Sequence, residues 1–585
     1  MQTITNINNG NPVFSASGPV TSSLNGLHPK SKFLAIIKLI TWTRFGAFWT
    51  TVLLATMSTL QAEQSESSTN YTPSCETDHY RFTRLNQGEN WTPADWNDYY
   101  TQDLGSWIMP YPWAKALRQP NGQFFLRDSL TRYGYIPNLK SRSNPEGLPV
   151  GFMVANPGTL NPQFAMNCAA CHTRQLTVNG TAYRADGGPA FSDMYSFFKD
   201  VLGAFNYTIT NPLAFQQFQR AVKTPADQLL KEMQNWYALN NLVYGQALPS
   251  TSWGIGRLDA ISNINNRVDG GFLGHAPNFL IPQNVATANV PVRYPFLWNA
   301  DRQDRTQWAG TAINGNEEYA LVRNAGETSG VWGLLFPVGN DYLKANSLNY
   351  EGIVKIGSLT PNIGPPKWAW PIDQKKAARG KLIYNARNSC NSCHGIQQGA
   401  ARPPVTDTWF TQVLDVGTDG AYYSVLERTS FSSGVLTGVT IPFTDPPVSI
   451  GQTGEPSFQL VGTLNELALV QKFPTIQIGI KPYSLVSYAF ESRVLQGIWA
   501  AAPYLHNGSV PTLAELLKPA AQRVKSFQVG PEYDLKNIGL ARVQPGGKAT
   551  IRQTSDYANG NDGHEFGVLL PEKDKEALLE YLKTL

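Results

Sequence analysis

The pentapeptide Cys-x-x-Cys-His occurs twice in the chain, as Cys168-Ala169-Ala170-Cys171-His172 and as Cys390-Asn391-Ser392-Cys393-His394, and the two copies use four of only five cysteines. Two thiols three positions apart can add to the two vinyl groups of one porphyrin, and the imidazole that follows becomes the proximal ligand to its iron. The pattern predicts two covalently attached haem c groups, one on Cys168, Cys171 and His172, the other on Cys390, Cys393 and His394. A structural zinc site would need two further Cys or His ligands per pair at short spacing, and the next histidine after His172 is His275. A redox pair of the thioredoxin kind does not require the following histidine and rarely comes twice.

A chain of 585 residues is long for one domain and implies two or three units sharing an interface. Charged residues make up 15% of it, well below the usual quarter, while 50 Gly and 40 Pro point to long ordered loops rather than repeats or a coiled coil. A net charge of +4 with no basic stripe argues against a nucleic-acid partner. At the N-terminus a polar lead is followed by Lys30, Lys32, Lys38 and Arg44 and then by an apolar run from Phe45 to Leu60. Ala62 offers a small residue at a cleavage edge, so 1–62 reads as a signal peptide, with an uncleaved anchor as the alternative. Both imply a periplasmic or secreted bacterial protein, the setting in which haem c is attached. Cys75, the remaining cysteine, has no partner and reads as a buried or free thiol.

The expected architecture is mainly α with long loops and a small β insertion, organised as an N-terminal haem domain with extended loops (63–365) and a C-terminal cytochrome c domain (366–585). The boundary rests on the proline-rich stretch from Pro361 to Pro371. Helical spacing is read over 95–104, 113–117, 190–205, 212–242, 373–384 and 571–583. Gly380 is read as the point where two helices cross. Loops and short helices are expected over 253–336, and β structure over 412–470.

The methionines stand at 1, 57, 109, 153, 166, 194 and 233, so none lies in the C-terminal haem domain and local His/Met ligation of that haem is excluded. His564 is the favoured sixth ligand there, ahead of His506, with Tyr504 as a phenolate outsider. For the first haem the only histidine between the motifs is His275, and the aromatic text around it favours an open iron. Phe296 is read as a wall of the distal pocket and Trp298 as an indole relaying electrons between the porphyrins, with His172, Phe296 and Trp298 as the catalytic set. Arg257 and Arg323 are candidates for pairing with haem propionates.

The chain resembles the di-haem cytochrome c peroxidase superfamily, and most of all its larger branch with the rubber oxygenases and bacterial oleate dioxygenase. The resemblance runs from about Asn90 to the C-terminus. It rests on the two motifs, on Tyr294-Pro295-Phe296-Leu297-Trp298 followed by Gln307-Trp308, on Arg323-Asn324-Ala325-Gly326-Glu327, on Gly497-Ile498-Trp499 leading into Ala502-Pro503-Tyr504-Leu505-His506-Asn507-Gly508-Ser509, and on Gly563-His564-Glu565-Phe566-Gly567. It implies an oxygen-binding N-terminal haem and a closed, bis-ligated C-terminal one. The chain departs from the small peroxidases in lacking both a histidine shortly after the first motif and a methionine for the second haem. The leading expectation is therefore an oxygenase acting on an apolar alkene, a fatty acid or polyisoprene, with O2. The alternatives are a peroxidase using H2O2, with Glu327 or His275 as its acid/base group, and a pure electron carrier. A redox partner protein is compatible with all three. Calcium between the domains and the oligomeric state stay open at this point.

Overall fold

Asp373 opens the C-terminal haem region by capping a helix. Its carboxylate accepts the amides of Lys375 and Lys376, at 3.0 and 3.1 Å, and starts the helix Gln374–Tyr384. Ala377, Gly380 and Tyr384 are its buried positions, and they face the last helix, Glu572–Leu582. A Cβ on Gly380 would strike the carbonyl oxygen of Ala577, so the crossing needs glycine there. Tyr384 packs on Tyr581 with centroids 5.2 Å apart, and Lys376 and Arg379 pair with Glu576 and Asp574 along the exposed rim.

The computed structural model describes residues 81–585 apart from 400–407, 477, 479–484 and 545–549. The expected leader, 1–62, and Cys75 lie outside the described residues. No helix among the described residues is long and apolar enough to cross a membrane.

In the N-terminal half the low charge is explained by an aromatic core. Asp193 caps the helix Met194–Thr210 by accepting the Ser196 amide at 3.0 Å. Phe197, Phe198, Val201 and Phe205 then recur on its buried face. Phe198 stacks on Tyr244 at 4.2 Å and Phe205 on Trp236 at 3.8 Å. Each such ring buries a large apolar area, so a handful suffices for a core.

The architecture is mixed helical rather than mainly α. Two- and three-stranded sheets are spread along the described residues instead of gathered in one insertion. The first motif runs directly into the hairpin Thr173–Val178 and Thr181–Asp186. Within 412–470 the strands are short pairs, Phe431–Ser432 with Thr453–Glu455 and Val413–Leu414 with Phe490–Glu491, and the rest is the helix Ser457–Lys472. The stretch 212–242 is two helices, Pro212–Val222 and Ala226–Asn240, because Lys223 turns left-handed at φ 58° and Pro225 cannot continue an amide ladder. The stretch 253–336 holds two full helices, Ala260–Gly271 and Glu317–Gly330.

The segments on either side of residue 365 interlock. Arg174 donates to the Ala502 carbonyl, and Arg293 Nε to that of Leu505 at 2.9 Å. The described residues from 81 to 585 belong to one compact unit.

Candidate functional site

The first motif is held from both ends. Asn167 accepts the Ala169 amide at 3.0 Å and donates to the carbonyls of Tyr99 and Gln102, at 3.0 and 2.9 Å. Tyr99, from the helix Pro93–Thr101, donates its hydroxyl to the His172 carbonyl at 2.8 Å. Gly151 lies so close that a Cβ would strike the Ala170 amide. His172 Nδ1 stands 2.8 Å from the carbonyl oxygen of Pro295. A carbonyl can only accept, so Nδ1 carries the proton and Nε2 keeps its lone pair. Burial lowers the His172 pKa to about 4, which holds the ring neutral, the state a metal ligand needs.

The second motif repeats that arrangement with different partners. His394 Nδ1 stands 2.7 Å from the Arg493 carbonyl, again forcing the tautomer, and burial lowers its pKa. Tyr384 donates to the His394 carbonyl at 3.1 Å. Across a cavity of about 200 Å³ from the thiols, His564 faces His394 with ring centroids 6.1 Å apart. Two imidazoles that share one metal through bonds of roughly 2 Å have centroids about 6 Å apart. His564 Nδ1 is buried without a protein partner, as a nitrogen kept for a ligand would be, and its pKa is lowered to about 4, first by burial and then by His394.

The other candidates for that sixth position are engaged elsewhere. His506 lines the same cavity, but its ring is stacked on Phe490 at 3.9 Å and 12°. The Tyr504 hydroxyl donates to the carbonyls of Trp499 and Ile538, at 3.3 and 3.2 Å, and burial pushes its pKa up, against a phenolate.

Between the motifs runs the segment 293–298. Trp298 is fully buried and donates its indole N–H to the Asp186 carbonyl at 2.8 Å. The Asp186 carboxylate is fixed by Arg84, Trp91 and Tyr100. Phe296 stacks on Trp298 at 5.2 Å and lines the cavity that holds His394. It follows directly on Pro295, whose carbonyl accepts from His172.

A second cavity of about 240 Å³ is lined by, among others, Ile261, Ile264, Val461, Gln307, Arg323 and Glu327. The charges of Glu327 and Arg323 both act on the Cys168 thiol, whose pKa burial pushes up to about 12. Gln307 donates to Glu327 at 2.6 Å, and burial raises the Glu327 pKa. His275 is exposed and is brought to neither site. Arg257 is buried against the Trp253 carbonyl and the Asn559 side chain and lines neither cavity.

Two arginines escaped the sequence reading. Arg293 and Arg493 line the second-motif cavity, both buried, and among the described residues the carboxylate paired with them is Glu491, 3.7 Å from Arg493. Arg493 Nη2 has no partner, and burial, with Arg493 beside it, lowers the Arg293 pKa to about 9. A surplus of buried guanidinium in a cavity of porphyrin-binding residues fits the carboxylates that a haem carries. No periodicity announces such a residue.

Residues 489–528, which include Arg493, Tyr504 and His506, match the family described as RoxA-like, cytochrome c-like. That supports a rubber-oxygenase-like cytochrome in the C-terminal region. One cytochrome c-like region is detected in this way, and the second is not. The chain is similar to the uncharacterized protein y4iJ of Sinorhizobium fredii, with 29% identity over 85% of this chain and 92% of the relative. It is also similar to the uncharacterized protein y4iM of the same organism, with 24% identity over 52% of this chain and 62% of that protein.

Proposed function

We propose that the chain is an exported di-haem c-type cytochrome oxidoreductase that uses O2 to oxygenate a hydrophobic unsaturated substrate, a fatty acid or polyisoprene, beside His172. The observation that carries the reading is the asymmetry between two otherwise alike motifs. His394 has a second imidazole at 6.1 Å, whereas the ring recorded against His172 is Tyr294, edge-on at 6.2 Å. Cys168, Cys171 and His172 would hold one haem, and Cys390, Cys393, His394 and His564 the other. A haem iron with an open coordination position supplies dioxygen or peroxide chemistry, and one with both positions filled passes electrons.

The residues of the chain then have definite tasks. The Pro295 carbonyl holds the His172 proton on Nδ1 and so aims Nε2. Ile261, Ile264 and Val461 give the second cavity an apolar part of its lining, beside Gln307, Arg323 and Glu327, and that part suits an alkene. Trp298 lies between the motifs for electron exchange. The leader read in 1–62 supports export to the periplasm or beyond, and a redox partner protein would act at the surface.

Peroxide reduction is the second reading, favoured by one observation: Glu327, a part-exposed carboxyl with a raised pKa, lines the second cavity, and its charge acts on the Cys168 thiol, the equipment of a general acid. Oxygen uptake with oleate or latex, measured against peroxide turnover with reduced cytochrome c, separates the two. We expect substrate-dependent oxygen uptake that survives Glu327→Gln. Peroxide turnover that dominates and falls about 100-fold or more in Glu327→Gln would overturn the oxygenase reading.

A further inference from the structure

An aromatic cluster leads away from Trp298 to the surface. A Cβ on Gly497 would lie 2.7 Å from Trp298 Cε3 and 3.0 Å from Pro366 Cδ. Trp499, two residues on and fully buried, donates its indole N–H to the Pro366 carbonyl at 2.9 Å. The two indoles therefore flank one contact, Gly497 on Pro366. From Trp499 the rings continue to Trp370, at 5.8 Å, and from Trp370 to Tyr183, at 4.9 Å, and both of these are partly exposed. Trp368 lies beside the path, 5.1 Å from Trp499 and 5.0 Å from Trp370. The Lys583 ammonium sits 5.1 Å above it, which disfavours a positive charge on that ring. The direct Trp499–Trp370 contact bypasses it.

The hydrogen bonds suit electron movement without proton movement. The indole N–H groups of Trp298 and Trp499 are bonded to backbone carbonyls, which cannot take a proton. An indole that loses an electron there keeps its hydrogen and can be refilled. Tyr183 stands where solvent can receive its phenolic proton.

We propose that Trp298, Trp499, Trp370 and Tyr183 form an outlet that carries oxidising equivalents from the His172 site to the surface, protecting the buried site when peroxide is reduced without substrate. The proposal rests on the haem reading above. In each passage one electron moves inward along the rings, and Tyr183 loses that electron and, to water, its proton. An ascorbate-class hydrogen-atom donor in solution restores it. Two passages supply the two electrons that, with two protons, convert one peroxide to two waters.

The test treats the haem-loaded full chain with hydrogen peroxide, without ascorbate, and maps oxidised side chains by peptide mass spectrometry. Haem is counted in the same sample. Oxidation is expected at Trp370 and Tyr183 several-fold above that at Tyr488 and Tyr557, which are more than half exposed, at 52% and 61%, and have no place on the path. Trp499→Phe should lower the marking of both and speed haem bleaching. Trp370→Phe, at a partly exposed position, should unmark Tyr183, and ascorbate should suppress marking in the wild type. A sample with two haems in which Trp370 and Tyr183 are marked no more than Tyr488 and Tyr557, or in which Tyr183 is marked equally in wild type and Trp370→Phe, overturns the outlet and leaves the haem reading standing. A chain without haem overturns both.

Discussion

His564 and His506 both line the cavity that holds His394, yet only His564 stands where a shared metal would put it. His564→Ala should convert the C-terminal haem from low-spin to high-spin in the optical and electron-paramagnetic spectra, while His506→Ala should cost stability through lost packing on Phe490 and leave the low-spin signature in place. The reverse outcome would move the ligand to His506. His172→Ala should abolish activity. Trp298→Phe should slow electron exchange between the haems without removing either, as read by stopped-flow reduction, and unchanged exchange would end the relay assignment. At this scale the motifs were legible because Cys-x-x-Cys-His fixes residue types at fixed spacing, whereas His564 was reached by enumerating the few histidines. The carbonyls of Pro295 and Arg493 that set the two tautomers were not, since every residue has a carbonyl and only the fold chooses which one is used.

Among the elements, the helix Gln374–Tyr384 depends on one backbone contact, so Gly380→Ala should destabilise the protein by about 1–3 kcal/mol through overpacking against Ala577, measurable as a lowered thermal midpoint. The helix Ser457–Lys472 carries a different liability. Glu466 is buried with one carboxylate oxygen unpartnered, and burial raises its pKa to about 8. Between its unfolded value, near 4.5, and about 8 the folded protein binds the extra proton, so stability should fall as pH rises through that window, by at most about 1.4 kcal/mol per pH unit. Glu466→Gln should flatten that dependence and be the more stable form above pH 8, and an unchanged slope would show that the carboxyl ionises without penalty. Both terminal helices of the C-terminal region could be read because one face is apolar and the other charged. The helix Ser457–Lys472 was missed because apolar residues cover several of its faces, and Ala260–Gly271 because it buries Asn263, Asn265, Asn266 and Asp269, which read as loop.

For the molecule as a whole, the proline-rich boundary near 365 marks a change in sequence texture but not a place to cut. Arg293, Phe296 and Trp308, from the first half, line the cavity around His394, so a fragment covering 366–585 should carry its covalent haem without the low-spin spectrum that the full chain gives. Stable low-spin haem in that fragment would show that the first half is dispensable there. The interlocking was invisible in the sequence because each crossing bond joins residues hundreds of positions apart. The account depends most on covalent haem in both motifs, and a pyridine haemochrome measurement on the denatured, gel-purified chain tests that directly. Two haem c equivalents per chain, falling to one in Cys390→Ala/Cys393→Ala, is the predicted result, and one equivalent or none in the unaltered chain would contradict it.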